Sequence, residues 1–239
     1  GENTNVLDDA YESTTFSDII ANIRSGGTKY LNFYPLLDKH PEYYKDFDIQ
    51  WLKERRHKHN IYTGCQMFLG GKGNEAALHN AHQANLFIQV WGEKKWVIYP
   101  SYFFPAVDPD PVRNLYRNAP FRKGPPFNPF NPDYDMYPWF EYIQGYEIHL
   151  KPGDILYNPP YVWHAVKNLT DSIACSYRWT NPFYSFKREP LYFLLDLFAT
   201  NPNMYKSIKL SKENFNLVRL AEEGLLEDFL KKEKLYAGK

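Results

Sequence analysis

Between residues 62 and 180 the sequence breaks into seven short apolar or aromatic runs: 62–69, 85–91, 95–99, 146–150, 154–158, 162–168 and 172–180. Gly, Pro, Asn or Asp bounds most of them. Runs this short, separated by turn signals, argue against repeated strand–helix–strand units and indicate a sandwich or a barrel. Trp91-Gly92-Glu93 and Lys151-Pro152-Gly153-Asp154 are the clearest turns. Aromatic residues, 18% of the 239 with 20 Tyr and 17 Phe, suit such strands and a barrel interior.

The flanks read differently. In the N-terminal segment, 1–59, Ile19, Ile20 and Ile23 form a helical stripe after Ser17-Asp18, and Gly26-Gly27 stops it. A second short helix is expected at 41–45. The β core is expected over 60–182, with a long insert at 101–142 rich in Pro, Asn and aromatics. An insert of that length is either a lid or substrate wall, or a surface loop packed by its own side chains. Helices are expected over 187–236, with Leu191, Leu194, Leu195 and Phe198 on one face and a second apolar stretch at 215–230. They would cover the barrel or pair with a second copy as a homodimer. The whole chain is expected to form a single domain.

Charge excludes some partners. The 28 basic and 28 acidic side chains cancel, so nothing overall points to nucleic acid or an anionic membrane. The basic run from Lys53 to Lys58 reads as a solvated helix end or loop. No apolar run is long enough to cross a bilayer. Cys65 and Cys175 do not make a disulfide framework and fit a reducing compartment, so a cytoplasmic location is expected. The chain begins at Gly1 without Met, which is compatible with a removed signal or tag.

Two histidines stand in informative places. His79 lies in Leu78-His79-Asn80-Ala81-His82, shortly before the run at 85–91, and His164 lies in Tyr161-Val162-Trp163-His164-Ala165, shortly after Pro152-Gly153-Asp154. A lone histidine on an aromatic strand is ordinarily a satisfied core residue. A barrel that brings two together instead builds a neutral-imidazole metal site with open positions; non-haem iron(II) is held by two histidines and one carboxylate.

Two segments carry a family likeness. The first is His79-x-Ala81 followed by Asn85-Leu86-Phe87-Ile88-Gln89-Val90-Trp91-Gly92-Glu93-Lys94-Lys95-Trp96. The second is Leu150-Lys151-Pro152-Gly153-Asp154-Ile155-Leu156-Tyr157-Asn158-Pro159-Pro160 with Trp163-His164-Ala165-Val166. Over roughly half its length, 62–181, the chain resembles the JmjC-type, cupin-like iron(II)/2-oxoglutarate oxygenases, a group that includes the asparaginyl hydroxylases. The resemblance implies an all-β double-stranded β-helix (cupin, or jelly roll) with N- and C-terminal helices. It implies Fe(II) on His79 and His164, and 2-oxoglutarate held through its far carboxylate by Lys94. Asn85 sits near the cosubstrate in this correspondence, and Tyr62 is the candidate for a hydroxyl on that carboxylate. A hydroxyl residue that some members carry three positions before the first histidine is Ala76 here.

One position departs from the pattern. The family motif is His-x-Asp or His-x-Glu, and this sequence has His79-Asn80-Ala81. Alanine has no atom that binds a metal, Asn80 on an extended chain points away from His79, and His82 would reach the site only through a turn. Three explanations stay open: an inactivated hydroxylase, a halogenase-type dioxygenase site with chloride in the vacant position, and a non-catalytic binding module. A metal-bound isomerase cupin fits less well, since it has no use for Lys94. The substrate is expected to be a small molecule or a residue in a peptide.

Overall fold

The computed structural model describes residues 14–103, 116–118 and 127–199; for 116–118 and Tyr62 only the backbone is described. Helix α1 (Phe16–Arg24) starts where Thr15 accepts a hydrogen bond from the Asp18 amide, 3.1 Å, and donates its hydroxyl to the Asp18 carboxylate, 2.7 Å. These contacts satisfy an otherwise orphaned helix N–H. The helix buries Ile19 and Ile23 against Leu69. After β1 (Tyr30–Tyr34) come α2 (Leu36–Lys39), a 3₁₀ turn at Pro41–Asp46 and α3 (Ile49–Arg55), which is capped by Asp48. The basic run does lie at a helix end: Lys53 and Arg55 occupy the last turn of α3.

The core strands are β2 (Tyr62–Gly70), β3 (Glu75–Ala81), β4 (Ala84–Trp91), β5 (Lys94–Tyr99), β6 (Tyr116–Asn118), β7 (Tyr146–Leu150), β8 (Ile155–Asn158), β9 (Trp163–Asn168) and β10 (Ser172–Thr180). They form two antiparallel five-stranded sheets, in the orders β1-β2-β10-β4-β8 and β6-β3-β9-β5-β7. Consecutive strands pass back and forth between the sheets, from β2 to β5 and again from β7 to β10, so that paired neighbours are far apart in sequence; this is a double-stranded β-helix, the expected jelly roll. Phe68, Phe87 and Ala174 of the first sheet pack against Trp96, Leu150 and Val166 of the second. Each large side chain sealed there contributes about 1.5–3 kcal/mol. Trp96 meets Phe87 edge-on at 4.8 Å.

Both outer faces are covered. Leu36, Leu37, Ile49 and Leu52 pack on Cys65, Met67, Leu86 and Cys175 of the first sheet. Between those N-terminal elements and the same sheet lies a cavity of about 900 Å³, lined by apolar side chains such as Leu31, Leu36, Met67 and Ile173; neither His79 nor His164 lines it. On the second sheet, Leu78, Val97 and Trp163 are covered by Phe127 and Phe140 from the insert, by Ile143 just after it and by Tyr192.

Several expectations need correcting in detail. His79 does lie shortly before β4, but on a strand of its own, β3, which the sequence reading missed together with β1, α2 and α3. The described part of the insert packs on the outside of the second sheet, and β6 pairs with β3 opposite His79, Asn80 and Ala81; residues 104–115 and 119–126 lie outside the described residues. The C-terminal helices begin at α4 (Pro182–Arg188) and α5 (Pro190–Leu197). On α5 the expected apolar face is not the buried one. Leu191, Leu194 and Phe198 are exposed, while Tyr192 and Asp196 are buried. The reason is polar: Tyr161 Oη donates to Asp196 at 2.7 Å, and Trp163 Nε1 donates to the Tyr192 hydroxyl at 3.1 Å. The apolar stretch expected at 215–230 lies outside the described residues. Among the described residues no helix is long and apolar enough to cross a membrane.

Candidate metal centre

His79 and His164 are direct cross-strand partners on β3 and β9. Their ring centres lie 4.2 Å apart with planes at 57°. Two imidazoles bound at about 2.1 Å and at right angles on one metal would put their centres roughly 4.6 Å apart, so the spacing suits a shared ion. Each Nδ1 faces a backbone carbonyl, that of Ala77 at 2.6 Å and that of Val162 at 2.9 Å. A carbonyl only accepts, so both Nδ1 atoms carry the proton and both Nε2 atoms carry the lone pair. That tautomer is the one a metal-ligating histidine adopts when its other nitrogen donates to a carbonyl. Burial, reinforced by the neighbouring His164, holds His79 well below the usual histidine range, and burial pushes His164 down to about 4. Both rings are therefore neutral at pH 7. The Trp96 indole stacks on His164 at 5.1 Å.

Ala81 lies two residues beyond His79 on β3, so its methyl shares the face of the imidazole. Asn80 points the other way, fully buried, its amide nitrogen 3.5 Å from the Tyr161 carbonyl. His82 falls in the bend after β3, where its carbonyl accepts from Ser185 Oγ at 3.3 Å. Among the described residues no third His, Cys, Asp or Glu joins the pair. The donor set present is thus two neutral imidazoles, which fits a divalent transition metal whose other positions go to small ligands. Tyr161 braces this end of the strand: it holds a left-handed backbone (φ 65°) and donates its amide to the Ala81 carbonyl at 2.8 Å.

Lys94 starts β5, four residues from Ile98, the cross-strand neighbour of His164; that is about 13 Å along the strand before side chains are counted. It is wholly buried, donates to Asn168 Oδ1 and lies over the Tyr30 ring at 5.7 Å. Asn168 is fixed in turn by donating to the Gly71 carbonyl at 3.0 Å. Burial lowers Lys94 to about 7. The turn that delivers Lys94 depends on Gly92, at φ +68°, where a Cβ would stand 2.0 Å from the Asp171 carbonyl oxygen. Gln89 secures that turn by donating to the Trp91 and Gly92 carbonyls.

Asn85, 5% exposed, sits opposite Asn158 on β8 and Arg178 on β10. The Oδ1 atoms of Asn85 and Asn158 are buried with no hydrogen-bond partner. The side chain of Tyr62 is not described. Sequence reasoning missed Asn158, Asn168, Tyr161 and Arg178. The signal for Arg178 was present: in Ser172-Ile173-Ala174-Cys175-Ser176-Tyr177-Arg178 the alternate positions are small or polar, as an inward face lined by a ligand would be.

Comparison with known proteins places the chain in a family. The family described as a cupin-like domain matches residues 1–185. The chain belongs to that family. HSPB1-associated protein 1 of Homo sapiens is 29% identical over 104 residues, 43% of this chain and 20% of that protein. Lysine-specific demethylase JMJ30 of Arabidopsis thaliana is 26% identical over 191 residues, 76% of this chain and 42% of that protein. JmjC domain-containing protein D of Dictyostelium discoideum is 31% identical over 110 residues, 45% and 23% respectively. The chain thus spans less than half the length of each of these relatives, and the names of the second and third carry the JmjC grouping to which the two sequence motifs pointed. Among solved structures, the Escherichia coli ribosomal oxygenase YcfD in complex with cobalt and 2-oxoglutarate aligns over 64% of this chain and 32% of that one, at 16% identity and a TM-score of 0.40.

Proposed function

We propose that this cupin-like chain is an Fe(II)/2-oxoglutarate-dependent oxygenase of hydroxylase type that lacks its protein carboxylate ligand. The observation that carries the reading is the pair of neutral, carbonyl-anchored imidazoles 4.2 Å apart inside the barrel. When bound, iron and 2-oxoglutarate supply dioxygen activation and oxidation of a substrate C–H bond. The chain's own part is narrower. His79 and His164 hold the metal, each oriented by its carbonyl; Lys94 offers its ammonium to the far carboxylate of the cosubstrate; Asn85 lies near the cosubstrate; Trp96, Phe87 and Phe68 keep water away.

Ala81 offers no metal ligand where the family motif has a carboxylate, and no His, Cys, Asp or Glu among the described residues takes its place beside the two histidines. That observation also favours a second reading, in which an exogenous anion such as chloride fills the position and a halogenase results. A non-catalytic binding module is the remaining alternative. Anaerobic titration of the chain with Fe(II) and then 2-oxoglutarate tests the first two together. The expected result is a weak visible charge-transfer band that needs both additions and vanishes in His164→Ala. A chain that binds 2-oxoglutarate yet gives no band and no metal uptake would leave only the binding module.

A further inference from the structure

Arg178 has no part in the function proposed above, yet it enters the same barrel. It follows Ala174 and Ser176 on the inward face of β10, and its Nε donates to Ser176 Oγ at 2.8 Å. Its guanidinium lies 5.3 Å from the Phe33 ring and 5.6 Å from the Phe68 ring, both part of the interior cluster. The Phe68 ring lies in turn 6.5 Å from Tyr30, over which Lys94 sits, so Arg178 and Lys94 flank one aromatic wall. Asn85, its cross-strand neighbour, and Asn158 beyond it bury amide oxygens that have no partner. An asparagine amide can turn either edge to a ligand.

The chemistry of this cluster is specific. A guanidinium keeps its charge at any working pH and presents a planar fork that matches a carboxylate with two parallel hydrogen bonds. Aromatic walls strip water from such a pair and strengthen it. Lys94 is a different kind of group: wholly sealed, already donating to Asn168 and only partly charged near neutrality. Arg178 is only half-buried, and its guanidinium keeps its full charge.

We propose that Arg178, backed by Ser176 and walled by Phe33 and Phe68, is a carboxylate-binding group inside the barrel, a second anion site on the sheet opposite Lys94. The inference rests on the barrel being the ligand site of the proposed oxygenase, but it needs no metal. Two sources share this chemistry: a carboxylate of 2-oxoglutarate, and a carboxylate of the substrate.

Calorimetric titration of the metal-free chain separates them, with 2-oxoglutarate first and then propionate added to chain saturated with 2-oxoglutarate. If Arg178 grips the cosubstrate, Arg178→Gln weakens 2-oxoglutarate binding by about tenfold or more. If it grips a substrate carboxylate, 2-oxoglutarate binding is unchanged and propionate binding is lost. Should Arg178→Gln fail to fold, Ser176→Ala, which deprives Nε of its acceptor, should shift the same titration in the same direction. A folded variant that binds both probes as the parent does, or a parent that binds neither, overturns the proposal. Carboxylate binding that persists without any charge-transfer band would sink the oxygenase reading and leave this site standing.

Discussion

The indole of Trp96 lies flat against the imidazole of His164, with ring centres 5.1 Å apart and planes 14° from parallel. A paramagnetic ion on His164 Nε2 would sit close enough to quench that indole. Adding Co(II) should therefore remove part of the tryptophan emission, a fraction because the chain holds six tryptophans. Trp96→Phe should abolish the quench while calorimetry still records metal binding. His79→Ala or His164→Ala should weaken binding by more than the roughly 10–100-fold that loss of an outer partner costs. Undiminished quenching in His164→Ala would refute a metal site on that residue.

The two imidazoles also predict how the metal-free chain responds to acid. Their folded-state pKa values lie below the unfolded value, so the unfolded chain binds more protons between about pH 6.5 and the folded pKa. Stability should be full above that window and fall as pH drops through it. For His164 the loss is about 1.4 kcal/mol per pH unit down to about 4, and His79 steepens it in the same direction. Urea titrations from pH 7.5 to 4.5, compared with His164→Gln, measure the slope. A variant as acid-sensitive as the parent would show that other groups dominate.

Lys94 gives a prediction that depends on both charge and pH. Lys94→Ala should weaken 2-oxoglutarate binding by about 2–5 kcal/mol, the usual cost of truncating one partner of a buried charge pair. In the parent chain the lysine loses its proton at about 7 when no ligand is present. Affinity for the dianion should accordingly be level below pH 7 and decline above it. A pH-independent affinity, or one unchanged in Lys94→Ala, would assign the anchor to another group.

Ala81→Asp puts a carboxylate on the imidazole face of β3. In the metal-free chain the new side chain has no partner and should cost about 1–3 kcal/mol of stability. Metal should repay that loss, because a ligand that binds only the folded state stabilises it. With Fe(II) and 2-oxoglutarate the variant should form succinate coupled to hydroxylation without chloride, if the parent is an inactivated hydroxylase. Chloride incorporation by the parent, lost in Ala81→Asp, would assign it to the halogenases instead.

Most of the barrel was legible in the sequence because its strands announce themselves. The run at 172–180 alternates small inward residues with bulky outward ones, and Gly92 and Gly153 mark turns in which both adopt positive φ. Strand β3 was not legible. Glu75-Ala76-Ala77-Leu78 has a helical composition, and its extended state is imposed from outside, by pairing with β9 on one edge and β6 on the other. The α5 stripe misled for a related reason. Leu191 and Leu194 satisfy helical periodicity, but the helix is rotated by the hydrogen bonds that Tyr192 and Asp196 make to the second sheet. In the site, the histidines and Lys94 could be named because the family resemblance implies them. Arg178 was signalled only by the alternation along β10, and Asn158 not at all, since tertiary register alone brings both beside Asn85.

That register has a kinetic side. His79 meets His164 only after β3 and β9 have found each other across most of the β core, and β2 and β10, which pair in the other sheet, are farther apart still in sequence. Contacts of such long range are slow to form, because the chain must close a large loop before any contact offsets the entropy lost. The helices and the tight β4–β5 turn that leads into Lys94 can form locally and early; the pair of imidazoles cannot. A refolding chain should thus recover its helical signal well before it can capture a metal ion, and added metal should trap the finished barrel without hastening its assembly.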